Sequence, residues 1–276
     1  SFDPIEQAFS GYSNLNGFPG CPPNVTKPFT GDFATALMGA WAVLAAVIRA
    51  RETGEGESID CCQFESLVRI QGATLSDGIN HGIQPARIGN EDLVGACAGA
   101  QKCKDGYCQV AVGGAGPVKK LVEFFGFAED PGFQPLGGYA SITRAPGCKS
   151  LDEPLPARAA KFRKALDEWC EAHTVEEVNR TFSEMGVPVS PHMTYEMMLS
   201  DPHYQAREVF VECYDEITEK TVKQVNMIPR FKKHPGQIVR GGAKYDADTQ
   251  DIMHEFGYSD EEIELLYEKG VMKRGE

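Results

Sequence analysis

The sequence predicts a mixed α/β or α+β protein built from more than one domain. Three observations carry this. Short strand-like and helical runs are interspersed along most of the 276 residues. One long stretch, Phe33–Arg51, is almost continuously apolar and reads as a helix. Near residue 96 the texture changes from apolar helix to hairpin, which marks a boundary between domains. The chain is 42% hydrophobic and 24% charged, an ordinary globular composition that excludes collagen, coiled coil and wholesale disorder. Its length gives room for one large domain or two ordinary ones.

In chain order, Ser1–Gly31 is turn-rich, with Asn16-Gly17, Pro19-Gly20 and Pro22-Pro23, and reads as loop. The apolar helix Phe33–Arg51 follows. Asp32 suits its N-cap, and Arg51 with the later Gly54 suits its C-terminal end. A helix apolar on every side is expected to be buried on every side. Ser58–Cys62 leads in extended form into a second helix, about Gln63–Leu75, and Asn80–Asn90 is a loop. Gln101–Lys104 and Tyr107–Val112 flank Asp105-Gly106 and form a hairpin. A helix is expected over Val118–Phe125, a Gly/Pro-rich loop over Asp130–Pro156, and two helices over Arg158–Glu171 and Val175–Met185. Thr174 and Glu177 have capping-box spacing for the second of these. Val187–Pro191 reads as a short strand and Thr194–Leu199 as a short helix. Strands Val209–Tyr214 and Thr221–Val225, a basic loop Pro229–Arg240, and acidic helices Ala247–Phe256 and Asp260–Glu268 close the chain. No internal repeat or low-complexity segment is visible.

Charge and cysteine usage narrow the function classes. The net charge of −13 argues against nucleic acid, which needs a basic face, and against anionic lipid. The longest apolar stretch, Ala34–Ile48, falls short of the ~20 residues a membrane span needs, so no membrane partner is expected. The nine cysteines are scattered and contain no C-x2-C pair, which predicts free thiols in a reducing cytoplasm and no zinc site. None of the six histidines has H-x3-H spacing, and no G-x-S-x-G elbow occurs, so neither a metal centre nor an α/β-hydrolase triad is expected.

Asp32 is the most suggestive single residue. An Asp before a helix is ordinarily an N-cap. It can equally be a nucleophile, because a helix N-terminus favours the ionised carboxylate and only that form attacks. The two roles are compatible. Asp3 reads locally as a surface loop charge and is a candidate second carboxylate for the same site. Gly113–Gly116 is either a plain turn into a helix or a loose phosphate cradle, lacking the Lys-Ser/Thr of a P-loop. Arg230, Lys232, Lys233, His234 and Arg240 form either a solvated basic loop or a site for an anionic ligand.

Several segments together resemble a known family. Ser1–Gly11, Thr30-Gly31-Asp32 opening an apolar helix, Arg51–Asp60, Cys103–Gly106, Asp201-Pro202 with Ala206-Arg207, Asn226–Arg240 and Phe256–Ile263 are similar to the central part of class III CoA-transferases. The likeness is nearest to carnitine-type members, with the bile-acid type second. It implies a Rossmann-like large domain, here incomplete at its N-terminus, with a smaller α+β domain, in chains that interlock as a homodimer. It places the large domain at 1–95, the small domain at 96–205 and a return segment to the large domain at 206–276. Asp32 is then the nucleophile, which carries CoA as an aspartyl thioester between an acyl-CoA and a free carboxylic acid. CoA thioesters are substrates, and no tightly bound cofactor is implied.

The resemblance also sets limits. The family's first third, with several basic CoA-binding residues, has no counterpart before Ser1. The chain is therefore expected to expose apolar surface, to hold part of the CoA site, and to need that portion for activity; as an inert fragment it would serve only in assembly. Related racemases have a His where this chain has Phe2, which disfavours proton abstraction. Oxalate-type members have a glycine run where this chain has Leu93-Val94-Gly95-Ala96, which disfavours a small dicarboxylate. Asp3 and Gly95 are the candidate substrate or CoA contacts. The expected acceptor is carnitine or a related betaine, with a bile acid as the alternative.

Overall fold

A computed structural model describes residues 2–82, 84–91, 99–112, 114–134 and 153–275. The chain forms two compact units, Ser1–His192 and Met193–Glu276. Helix and sheet are mixed, as the α/β reading has it, and both sheets among the described residues are antiparallel.

The first unit opens with helices where the sequence reads as loop. α1 is Asp3–Phe9 and α2 is Tyr12–Leu15. Pro4 in the first turn of α1 has the φ a helix start needs, and Asp3 and Glu6 favour its N-terminal end. Gly11, at φ 77°, makes the left-handed step between the two helices. α3 is Thr30–Thr53, longer at both ends than expected, and it closes on Gly54 at φ 79°. Asp32 therefore lies inside the first turn and is not the N-cap; Phe29 holds that position with no side-chain cap.

The expectation that α3 is buried all round is also overturned. Leu37, Trp41 and Leu44 are 71%, 64% and 64% exposed, and Gly31 alone is fully buried. Apolarity creates the demand for burial, but a neighbouring surface must supply it. Among the described residues α1 and α4 (Gln63–Ile70) make the main helix contacts with it. At 24 residues α3 is also longer than the Ala34–Ile48 stretch suggests, and by length and composition alone it would reach across a membrane. The helix expected over Gln63–Leu75 divides into α4 and α5 (Gly72–His81), because Gly72 has a φ of +58°.

The rest of the unit has its own core. β1 (Gly99–Lys102), β2 (Tyr107–Val110) and β3 (Val189–Pro191) form an antiparallel sheet in the order β1-β2-β3. The hairpin is in the predicted place, with Gln101 opposite Cys108. On β2, Cys108 and Val110 are buried while Tyr107 and Gln109 are not, the two-residue period of a half-buried strand. α6 is Ala115–Phe124, α7 is Ala157–Glu171 and α8 is Val175–Glu184. α7 buries Ala159, Phe162, Leu166 and Cys170 along one helical stripe. Phe162 and Phe182 of α8 are fully buried in this core. The predicted capping box is present: Thr174 Oγ1 accepts from Glu177 N, and the Glu177 carboxylate accepts from Thr174 N. Thr174→Ala is expected to cost about 1 kcal/mol, read as a lowered urea midpoint. Arg163 donates to both oxygens of Glu91 at 2.7 Å each, which ties α7 to the segment following α5.

The second unit holds α9 (Tyr195–Ser200), α10 (Pro202–Ala206), the hairpin β4 (Phe210–Asp215) with β5 (Lys220–Val225), and helices α11 (Thr249–Glu255) and α12 (Asp260–Glu268). α10 was not expected, since Asp201-Pro202 reads as a stop. Instead Asp201 caps a new turn, its Oδ1 accepting from His203 N and Tyr204 N. Asp215 at the hairpin end accepts from Thr218 N, Thr218 Oγ1 and Gly242 N, which holds its carboxyl below the usual range.

Candidate active site around Asp32

The start of α3 rests on a buried polar brace. Asp3 is only 2% exposed, so the reading of it as a surface loop charge is overturned. Its Oδ1 accepts from Gly31 N at 2.7 Å, and its Oδ2 accepts from Gln7 Nε2, also at 2.7 Å. The first of these satisfies a backbone donor at a helix start, where such donors have no partner within the helix. Gln7 is itself fixed, with Thr26 N donating to its Oε1 at 2.9 Å and its Nε2 also donating to Thr26 O. Thr26 and Thr30 share a hydroxyl–hydroxyl hydrogen bond of 2.6 Å. Position 31 must be glycine for this packing. A Cβ there would stand 2.9 Å from Asp3 Oδ1 and 3.0 Å from Leu67 Cδ1.

Asp32 is the next residue, and it faces outward and is exposed. It lies in the first turn of the 24-residue α3. Among the described residues one side chain hydrogen-bonds its carboxylate: Gln63 Nε2, from the first position of α4, donates to Oδ1. Cys62 immediately precedes Gln63; loss of surrounding water, then Glu65, Asp60 and Glu6, push its thiol up.

The structure thus brings Asp32 and Asp3 to adjacent positions, one exposed and one engaged on both oxygens within the chain. Gly95 lies outside the described residues, as does Gly113. Gly114, at φ 80°, precedes α6, in keeping with a turn into a helix. In the basic loop, Arg230 pairs with Glu208, and Arg240 with Glu216 and Asp248, so two of its five basic groups are already engaged. Among the described residues no group of three or more His, Cys, Asp or Glu could hold a metal ion. Sequence reasoning missed Gln7 and Gln63. Gln7 reaches Thr26 across 19 residues and Gln63 reaches Asp32 across 31, and no local pattern marks either contact.

The sequence profile of CoA-transferase family III matches residues 1–249. The chain belongs to that family. This family III chain is 32% identical over 272 residues to the bile acid CoA-transferase BaiK of Clostridium scindens, covering 98% of this chain and 60% of the relative. It superimposes on a CAIB/BAIF family protein from Brucella suis with a TM-score of 0.73 at 22% identity, over 92% of this chain and 62% of that one. The Mycobacterium tuberculosis protein Rv3272 matches with a TM-score of 0.66 at 16% identity, over 91% and 63% of the two chains. The fold is therefore that of the class III CoA-transferases. The family III chain spans about 60% of the length of the relatives it matches.

Proposed function

We propose that the protein moves CoA between an acyl-CoA and a free carboxylic acid through a thioester on Asp32. The observation that carries this reading is an exposed carboxylate in the first turn of α3, set on a buried brace, in a chain of CoA-transferase family III. The ionised Asp32 attacks the thioester carbonyl and expels CoA thiolate, leaving a mixed anhydride. The thiolate then attacks the Asp32 carbonyl carbon. A C–S bond forms, the anhydride C–O bond breaks, and the donor acid leaves as its carboxylate. The acceptor carboxylate runs the two steps in reverse. Thioester energy is retained throughout. Asp3 acts as a positioning residue, because its oxygens are engaged with Gly31 and Gln7. The homodimer and the reducing cytoplasm are parts of the same proposal.

For the acceptor we propose carnitine or a related betaine, on the likeness of the motifs above. A second reading, a bile acid, is favoured by the 32% identity to a bile acid CoA-transferase. The test is mass spectrometry of the native full-chain protein after incubation with acyl-CoA, quenching and digestion. A CoA adduct on the Asp32 peptide is the expected result, and its absence with both donor classes would overturn the mechanism. Competition between carnitine and a steroid acid for one donor then decides the acceptor.

A further inference from the structure

Nothing in the chemistry above uses Gln63, yet its amide is the group placed on the reacting carboxylate. Two separate observations fix it there. Gln63 Nε2 donates to Asp32 Oδ1. The same nitrogen lies 3.4 Å from where a Cβ on Gly31 would stand, so it sits over the first turn of α3. Gln63 is half-buried, and it reaches Asp32 from the first position of a helix packed against α3. The packing of the helix pair therefore sets the position from which its side chain reaches Asp32.

We infer that Gln63 is a catalytic hydrogen-bond donor to Asp32. It holds Oδ1, leaves Oδ2 as the attacking oxygen, and remains on Oδ1 as negative charge collects there. This rests on Asp32 being the nucleophile. When CoA thiolate adds to the Asp32 carbonyl carbon, the C=O electron pair moves onto Oδ1. An N–H already pointed at that oxygen stabilises the tetrahedral state without reorganisation. The charge then returns to re-form C=O as the Cγ–Oδ2 bond breaks, and the donor acid departs with Oδ2. In the resting enzyme the same donor is already on Oδ1. An amide suits both states, because it donates without a charge that would trap the carboxylate.

The experiment uses the native full-chain protein with Gln63→Met, which keeps the size and removes the donor, and Gln63→Glu, which keeps the shape and adds a like charge. Circular dichroism and thermal melting first establish that each is folded; should one misfold, the other still reads the proposal. kcat and KM are then measured alongside the rate of CoA-adduct formation on the Asp32 peptide. Expected for Gln63→Met is a loss of about tenfold to a hundredfold in kcat and in the rate of adduct formation, with KM little changed. For Gln63→Glu the loss is larger, because the added carboxylate repels the charge that collects on Oδ1. Unchanged kcat and adduct formation in the folded variants, or a loss confined to KM, would overturn the role. Lack of any adduct on Asp32 in the unsubstituted protein would overturn the nucleophile itself, so the two failures are distinguishable.

Discussion

An Asp32→Ala protein is expected to keep its fold and lose CoA transfer by about ten-thousandfold or more, the scale seen when a covalent nucleophile is removed. The two halves of this expectation have separate causes. The carboxylate is exposed, and its one side-chain partner among the described residues is Gln63, so its loss leaves no buried group unpaired. Surface changes of this kind fall within about 0.5 kcal/mol. The chemistry has no such tolerance, because the anhydride and the thioester both form on this carboxyl carbon. Steady-state assay together with a urea titration checks both halves. A variant that transfers CoA at the unsubstituted rate would remove Asp32 from the mechanism.

Asp3→Ala should show the opposite balance, losing about 2–4 kcal/mol of stability and most of the activity. The carboxylate is 2% exposed and satisfies a backbone donor of α3 and a side-chain donor of α1. Removing it leaves the Gly31 N–H without its acceptor in a buried setting, and Gln7 keeps only its bonds to Thr26. The first turn of α3 then shifts, and Asp32 moves with it. Asp3→Asn retains an acceptor for Gly31 but presents an NH2 to Gln7 Nε2, so about half the penalty is expected. Equal amide protection at Gly31 in the Ala variant and the unsubstituted protein would show that the brace carries no weight.

Much of this fold was legible in the sequence wherever the signal was local. The capping box at Thr174 and Glu177, the hairpin around Asp105-Gly106 and the helix over Arg158–Glu171 follow from local sequence. The failures share a cause. α1 is only seven residues long, and its stability comes from Asp3 and Gln7 reaching residues 19 to 28 positions away. α3 was read as buried because its composition demands cover, but composition does not say what covers it. The candidate site divides the same way. Asp32 stands out by its place before an apolar run, whereas Gln63 reaches it from 31 residues on and carries no mark of its own.

The brace has a consequence for the order in which the molecule comes apart. The continuous apolar core runs through residues 103–187, around Phe162, Leu166 and Phe182. The neighbourhood of Asp32 has no share in it. The buried residues of α1 and α4 are Asp3, Gln7, Ser66 and Leu67, and Leu67 is the one apolar side chain among them. Regions poor in buried apolar contact open at lower free energy than the core they adjoin. Amide exchange at Gly31 should therefore proceed through a sub-global opening that leaves α7 and α8 protected. Catalytic competence would vanish at denaturant concentrations where α7 and α8 are still folded. Inactivation and unfolding are then two transitions, and a melting curve read from the core would overstate the range in which the enzyme works.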